Sequence, residues 1–264
     1  MLSNSFTKWL WDNRRSVLGW AAALAGVGGM YAAFWPSIDN PQMREALENY
    51  PEAVLEALNF DEISTAAGYL NASVYGLVVA LLSLVYATSA GTRIIAGDED
   101  SGTLDLVLAH PVSRSRLALE RFAALLVSLV LISVALLLVM LALTRPARLE
   151  GISLGDFAAM HLHLFLFAAL FGSVAFAVGA ATGRRGVAIG TAAGVAVLGF
   201  AANGIISGIE GLGWIEGFSP FQWLNGGSPL ANGVQAPHVS IMTALIIVLT
   251  SAGVWGFSRR DIGV

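Results

Sequence analysis

The chain of 264 residues contains no cysteine and only one lysine, Lys8. Without cysteine it can form no disulfide, no cysteine-zinc site and no thiol nucleophile. A Walker loop needs a lysine between its glycines and a Ser or Thr, but Lys8 is followed by Trp9. The chain therefore carries no nucleotide site of this kind, and a process that uses ATP through such a loop needs a second protein.

Charged residues are also scarce. They make up 12% of the chain, against about 25% in an average soluble domain. Apolar residues make up 56%, and mean hydropathy is +0.72. Long uncharged runs in such a chain indicate an integral membrane protein, and backbone exposed to lipid must satisfy its own hydrogen bonds. We therefore predict an all-α membrane protein whose residues 1–264 form a single transmembrane domain.

Six apolar segments are long enough to cross a membrane. A helix needs about 20 residues to cross a hydrocarbon core of about 30 Å, and each segment has at least about 19. The first is longer than the apolar core of a cleavable signal peptide. The predicted spans are residues 17–35, 66–95, 117–143, 157–182, 187–209 and 239–257.

The distribution of basic residues predicts the orientation. With the N-terminus inside, 11 of the 14 lysines and arginines lie on the cytoplasmic side and the other 3 lie outside. Cytoplasmic loops of membrane proteins carry the excess of these residues. We therefore predict a multi-pass protein of the cell (plasma) membrane with both termini in the cytoplasm.

Three segments outside the spans predict helices at the membrane surface. Phe6, Trp9 and Leu10 share one face near basic residues, which indicates an amphipathic helix on the inner surface that turns into the first span. Within residues 37–65, apolar side chains recur at helical spacing between positions 43 and 58, which predicts one or two short helices on the outer surface, interrupted at Pro51; the alternative is a solvated loop.

The third such segment, residues 210–238, contains no lysine or arginine and is rich in Gly, Pro, Trp and Phe. It is too interrupted to span the membrane and too apolar to remain in water. It predicts short re-entrant or interfacial pieces at the outer face. Trp214 and Trp223 are expected at headgroup level.

The histidines are poorly placed for metal binding or catalysis. His161 and His163 are two residues apart, so on a helix they point to different sides and suit one metal poorly. We expect them to pack at the outer interface, and we predict no metal site and no catalytic residue. The alternative is a membrane-embedded enzyme that uses His161 or His163 with a carboxylate such as Asp156.

Small and mildly polar residues are concentrated in the second and fifth spans. Small residues let helices approach closely, whereas polar groups within a membrane often line a pathway, and both interpretations remain open. The candidates for the pathway or a dimer interface are Asn71, Tyr75, Ser83, Tyr86, Asn203 and Ser207.

The longest charged stretch, residues 93–122, lies where the second span ends and the third begins, and the segment between them is residues 97–116. Acidic residues favour the N-terminal end of a helix, Ser101 or Thr103 can cap one, and Pro111 ends it. A short amphipathic helix held between two spans suits docking against a soluble partner; the alternative is an ordinary charged loop. The candidate contact residues are Asp98, Glu99, Asp100, Gly102, Thr103, Leu104, Asp105, Leu108, Pro111 and Arg114.

This stretch resembles the signature of ABC-2 type transporter permeases. The resemblance lies in the acidic run, Gly-Thr-Leu at 102–104, Pro-Val-Ser-Arg at 111–114, and a basic residue at Arg121, where the family more often has lysine. The N-terminal helix, the six spans and the interrupted segment before the last span are similar too. The layout is similar to that of the small bacterial export permeases of that family.

The resemblance implies that the permease works in a complex with an ATPase. Two permease subunits, identical or different, would bind two copies of a soluble ABC ATPase that holds ATP and Mg; this chain would need no cofactor. The contact would be a coupling helix, here residues 102–108, and the acidic run could pair with the ATPase or with Arg14 and Arg15. The family's dimer interface and pathway generally use the second and fifth spans. Membrane lipids are expected partners, and nucleic acid is not.

The function expected from these features is the permease subunit of an ATP-driven exporter. A pathway without buried charge favours a hydrophobic or amphipathic compound. The alternatives are a carrier or structural membrane anchor that needs no ATPase, and the histidine-dependent enzyme.

Overall fold

The computed structural model describes residues 4–40, 64–104, 112–206, 209 and 211–260. Every regular element in these ranges is a helix, and six of the helices are long and apolar enough to cross a membrane. This confirms the predicted all-helical fold with six spans. The surface helices predicted within residues 41–63 lie outside the described residues.

The first span, α1, runs without interruption from Ser5 to Ile38. The side chain of Asn4 caps it by accepting a hydrogen bond from the Thr7 N–H at 2.9 Å, and no proline occurs before Pro36. Its 34 residues give a length of about 51 Å, well beyond a core of about 30 Å. The predicted amphipathic helix is therefore the protruding start of α1 and does not turn away as a separate element.

The second span, α2, covers Ala66–Thr92 and changes its winding along its length. It is α-helical at Ala66–Tyr69, π-helical at Leu70–Val78 and α-helical again at Val79–Thr92. A π-helical stretch is rare and often marks a functional site. No feature of the amino-acid pattern had predicted it.

The next three helices are α3 (Ala96–Asp100), α4 (Arg114–Leu143) and α5 (Leu154–Thr182). A capping box between Ser153 and Asp156 starts α5. In its most apolar window, 83% of the residues of α5 are buried, against 17% in the last span. The fourth span is therefore the central helix of the bundle.

The fifth span, α6, covers Arg185–Ala201 and continues as a π-helix at Ala202–Ile206. A 3-10 turn at Gly213–Phe218 follows. After it come α7 (Pro220–Asn225), α8 (Pro229–Asn232) and the last span, α9 (Ala236–Arg259).

Short helices therefore fill the segment before the last span, as predicted. Helix α7 packs among α2, α5, α6 and α9. Phe221 lies between the rings of Phe167 and Phe200, at centroid distances of 5.2 and 5.4 Å. Trp223 is buried within the protein, where its indole N–H donates to the Gly217 carbonyl at 2.9 Å, whereas Trp214 is exposed. Their position at headgroup level stays a prediction.

The bundle has two ends. We call the end that holds Ser5, α3 and Arg259 the terminal end, and the end that holds Ile38, Ser153 and α7 the distal end. In the predicted orientation the terminal end faces the cytoplasm.

Close packing of α2 on α5 yields a stability prediction. A Cβ on Gly91 would overlap the backbone carbonyl oxygen of Gly172, whereas a Cβ on Gly26 in α1 would meet nothing within 4 Å. Gly91→Ala should destabilise the protein by about 1–3 kcal/mol because α5 must move. Gly26→Ala, the matched control, should be neutral or slightly stabilising. Thermal unfolding in detergent, followed by tryptophan fluorescence, measures both, and equal midpoints would contradict the packing.

Candidate coupling site and polar interior

The acidic run forms its own short helix at the terminal end. Ala96 is buried, and α3 ends after Asp100 in a turn at Gly102, whose φ is +66°. The hydroxyl of Ser101 donates to the Asp98 carbonyl at 3.1 Å and closes this turn. Leu104, just beyond it, is buried, whereas Thr103 is exposed. Asp105, Leu108 and Pro111 lie outside the described residues, so the contact predicted for residues 102–108 stays a prediction.

Asp98 attaches α3 to the start of α4. Its carboxylate pairs with the Arg121 guanidinium at 2.6 Å, and the same guanidinium donates to the Ile94 carbonyl at 2.7 Å. The Arg121 side chain is only 11% exposed. The basic residue that carries part of the family resemblance therefore holds the segment after α2 in place.

Glu99 attaches α3 to the end of the last span. Its carboxylate pairs with the Arg260 guanidinium, while the Arg260 carbonyl accepts a hydrogen bond from Arg114 at 2.6 Å. Gly183, which ends α5 at a φ of +69°, lies against this pair, and a Cβ there would overlap both charged groups. Four elements, α3, α4, the α5–α6 turn and α9, therefore meet around one ion pair.

Asp98 and Glu99 thus pair with Arg121 and Arg260 and not with Arg14. Pairing of the acidic run with the ATPase, the other alternative, stays a prediction. Arg14 instead donates to the Trp11 carbonyl at 2.6 Å and lies over the Trp11 ring at 3.9 Å. Asp100 is exposed at the end of α3 and faces away from the bundle. A helix of five residues has little stability of its own, so its partners on α4 and α9 position it.

The polar candidates on α2 face the interior of the bundle. The Tyr75 side chain is fully buried, and its ring meets the His161 ring edge-on at 5.5 Å. Ser83 and Tyr86 line a narrow cavity between α1, α2, α4 and α5. The other residues that line it are Leu24, Leu129, Ile132, Ser133, Leu164, Phe165 and Ala168.

Asn71 lies about one turn before Tyr75 in the π-helical stretch. Asn203 lies in the π-helical end of α6, and Ser207 lies outside the described residues. Burial of the α2 candidates is compatible with either packing or a pathway, so their role stays a prediction.

The two neighbouring histidines on α5 point to different sides, as predicted. The Nδ1 atom of His161 lies 2.7 Å from the Phe157 carbonyl oxygen. His163 bridges two other elements: its Nδ1 lies 2.9 Å from the Trp223 carbonyl oxygen, and its Nε2 accepts the Gln235 N–H at 3.2 Å. His163 therefore fastens α7 and the start of α9 to the central helix.

The Asp156 carboxylate and both histidines form hydrogen bonds with backbone groups. The Asp156 carboxylate accepts the Ser153 N–H at 2.9 Å in the capping box, and both histidines use Nδ1 on backbone carbonyls. Within the described ranges no three His, Cys, Asp or Glu side chains are grouped so that they could hold a metal ion.

Sequence reasoning missed several residues of these sites. Arg260 and Glu99 are 161 residues apart in the chain, and no local sequence pattern predicts that they pair. The contacts of Gly183 and Gln235 were not predicted either, although the Gly-Arg-Arg-Gly motif at 183–186 had indicated a tight turn.

The fold and the buried interior define a multi-pass helical membrane protein. The family described as "Multidrug efflux system permease Rv1217c, C-terminal domain" matches residues 2–258, nearly the whole chain. The chain belongs to this family, which is one of transport permeases. No match was found among curated proteins.

The buried ion pair at α4 gives a prediction about stability. Arg121→Gln leaves the Asp98 carboxylate half-buried without its partner, at a cost of about 2 kcal/mol, which corresponds to about 4–8 °C in the midpoint of thermal unfolding. Arg116 pairs with Glu120 on the surface, where its side chain is 68% exposed. Arg116→Gln should therefore shift the midpoint by no more than about 2 °C. A larger loss for Arg116→Gln than for Arg121→Gln would contradict the assignment.

Proposed function

We propose that this chain is the membrane subunit of an ABC-2 type exporter. A separate soluble ATPase would hydrolyse ATP, and the permease would use the resulting motion to export a hydrophobic or amphipathic compound. The observation that carries the proposal is the acidic segment with Gly-Thr-Leu, held between α2 and α4 by Asp98–Arg121 and tied to α9 by Glu99–Arg260.

The ion pairs suggest a path for the motion. A force on the segment after Gly102 reaches α4 through Arg121 and α9 through Arg260, because each arginine contacts α3 directly. Exposed residues at the turn, Ser101, Gly102 and Thr103, leave a surface for the partner. ATP and Mg would sit on that partner, in keeping with the lack of a Walker loop in this chain.

A second permease copy would pack on α6. Gly186, Gly190 and Gly194 follow one another at intervals of four residues, and a Cβ on any of them would meet nothing within 4 Å. Glycines at this spacing let two helix backbones approach closely in a membrane. The family resemblance points to the same span, so we assign the dimer interface to α6 and leave its partner identical or different.

The lining of the interior is compatible with an apolar or amphipathic cargo. The cavity between α1, α2, α4 and α5 is lined by apolar side chains with three hydroxyls, from Ser83, Tyr86 and Ser133, and its volume of about 10 Å³ has room for about one water molecule. It therefore holds no cargo in this conformation, but its lining contains no charge of the kind that an ion needs. The family's description as a multidrug efflux permease supports the same class.

Two glycines provide a test of coupling. Gly102 and Gly151 both have positive φ, and a Cβ on either would meet nothing within 4 Å. Proline fixes φ near −65°, so each Gly→Pro change remodels one turn. With the ATPase encoded beside the gene, Gly102→Pro should lower co-purification and permease-stimulated ATP hydrolysis at least tenfold. Gly151→Pro at the distal end should lower neither.

Thermal unfolding identifies any variant that simply fails to fold. Asp100→Lys, which reverses an exposed charge, is a second test that leaves the turn intact and should weaken the complex as well. An ATPase that binds Gly102→Pro and Asp100→Lys as well as it binds the wild type would contradict the proposal and favour a carrier that works without ATP.

A further inference from the structure

Three arginines at the terminal end lack an acidic partner. Arg93 follows the end of α2, Arg184 is the N-cap residue of α6, and Arg185 is the first residue of α6. Within the described ranges no carboxylate forms an ion pair with any of them, whereas three other arginines of this end each have one. We call these three residues the arginine cluster. It carries positive charge that the described part of the protein does not offset.

The packing on α5 brings the cluster together. A Cβ on Gly179 of α5 would lie 3.4 Å from the Ala96 Cβ and 3.6 Å from the Ala188 Cβ. The start of α3 and the first turn of α6 therefore lie side by side on α5. Arg93 and Arg185 each stand three residues before one of these alanines. Their guanidiniums are near enough for their charges to repel each other.

The burial of the cluster indicates an anion as its ligand. Arg93 is half-buried, and its Nε, which is shielded from solvent, has no hydrogen-bond partner among the described residues. A guanidinium that is partly removed from water beside a like charge is costly without a counter-ion. Arg184 and Arg185 are exposed, so a ligand from outside can reach the cluster.

The start of α6 adds further hydrogen-bond donors. The first N–H groups of a helix have no partner within it, and the helix dipole favours an anion there. Helix α6 has 17 residues, and the side chain of its N-cap residue Arg184 does not cap it. Guanidinium forks and the backbone N–H groups of a helix start both fit the oxygens of a phosphate group. The anion that matches the cluster is therefore a phosphate.

The position of the cluster selects a lipid phosphate. The second span ends at Thr92, the fourth ends at Thr182, and the fifth begins at Arg185, so the cluster lies where three spans meet the membrane surface. In the predicted orientation this is the level of the inner headgroups, and basic pockets between spans on that side are typical sites for anionic lipids. Val187, in the first turn of α6, offers exposed apolar surface beside the cluster.

We propose that the arginine cluster binds the phosphate of an anionic phospholipid of the inner leaflet. The phosphate accepts hydrogen bonds from the guanidiniums and from the start of α6, and the acyl chains lie beside Val187. The bound lipid offsets the repulsion between Arg93 and Arg185 and joins the end of α2 to the start of α6. The inference does not depend on the proposed ATPase contact at Gly102.

Thermal unfolding of the full chain in dodecyl maltoside, followed by tryptophan fluorescence, tests the proposal. The added probes are dioctanoyl phosphatidylglycerol, dioctanoyl phosphatidylcholine and inorganic phosphate. A large excess of phosphatidylglycerol should raise the midpoint by about 5 °C or more, because a ligand that binds the folded state stabilises it. Phosphatidylcholine, whose ammonium group offsets its phosphate, and inorganic phosphate, which has no acyl chain, should each raise it by about 1 °C or less.

Two double variants assign the effect to the cluster. Arg93→Gln with Arg185→Gln should reduce the shift from phosphatidylglycerol to about 1 °C or less. Lys8→Gln with Arg15→Gln is the matched control, because it removes two exposed positive charges of the same end outside the cluster and should keep the full shift. Without lipid, the first variant loses no ion pair among the described residues and should unfold within about 2 °C of the wild type, which separates a lost site from a lost fold.

Three outcomes would overturn the proposal. The first is a phosphatidylglycerol shift that survives in Arg93→Gln with Arg185→Gln, and the second is an equal loss of the shift in the control variant. The third is an equal shift with phosphatidylcholine or with inorganic phosphate, which would show that the cluster does not select an anionic lipid. If the cluster variant keeps the lipid shift but no longer co-purifies with the ATPase, the cluster contacts the partner protein and the lipid assignment is wrong.

Discussion

The ion pairs of α3 are the interactions on which the terminal end of the bundle depends. Charged residues are few in this chain. Asp98 forms an ion pair with Arg121 of α4, and Glu99 forms one with Arg260 at the end of α9. These carboxylates and guanidiniums are mostly buried, so removal of one partner would leave the other poorly solvated. The short helix after α2 is therefore fixed by its ion pairs to α4 and to the end of α9.

The distal end is organised differently, around the central helix α5. His163 uses both ring nitrogens to hold α7 and the start of α9, while His161 leaves one nitrogen free beside Tyr75. His163, which holds two elements to α5, and His161, whose Nε2 has no partner among the described residues, thus lie two residues apart on one helix. Ion pairs thus fix the short helix at the terminal end, and the hydrogen bonds of His163 fix α7 and the start of α9 at the distal end.

Composition and periodicity were sufficient to predict the six spans, because apolar length alone decides whether a helix can cross a membrane. The short helices before the last span followed from glycine and proline within an apolar stretch. Long-range contacts could not be predicted. The acidic run was expected to pair with the ATPase or with Arg14 and Arg15, and no sequence pattern predicted that Glu99 pairs with the distant Arg260.

The change from α-helical to π-helical winding within α2 was not predicted from the sequence either. The π-helical part of α2 arises in a stretch with ordinary apolar residues that lies against α1 and α7. Helix α1 is continuous because it contains no proline before Pro36, so its amphipathic start belongs to the same helix as the span. Amphipathic patterning indicates which face is apolar, but not whether a helix bends at the membrane surface.

The central claim is that α3 and α9 move as one body when the ATPase acts. The chain has no cysteine, so Glu99→Cys with Arg260→Cys introduces the only two thiols, and a short bifunctional thiol reagent can join them. Export by the complex with its ATPase, measured before and after cross-linking, is the most direct test. The account predicts that cross-linking restores or preserves export in this pair. Export that stops on cross-linking, with the ATPase still bound, would show that the two elements must separate and would contradict the account.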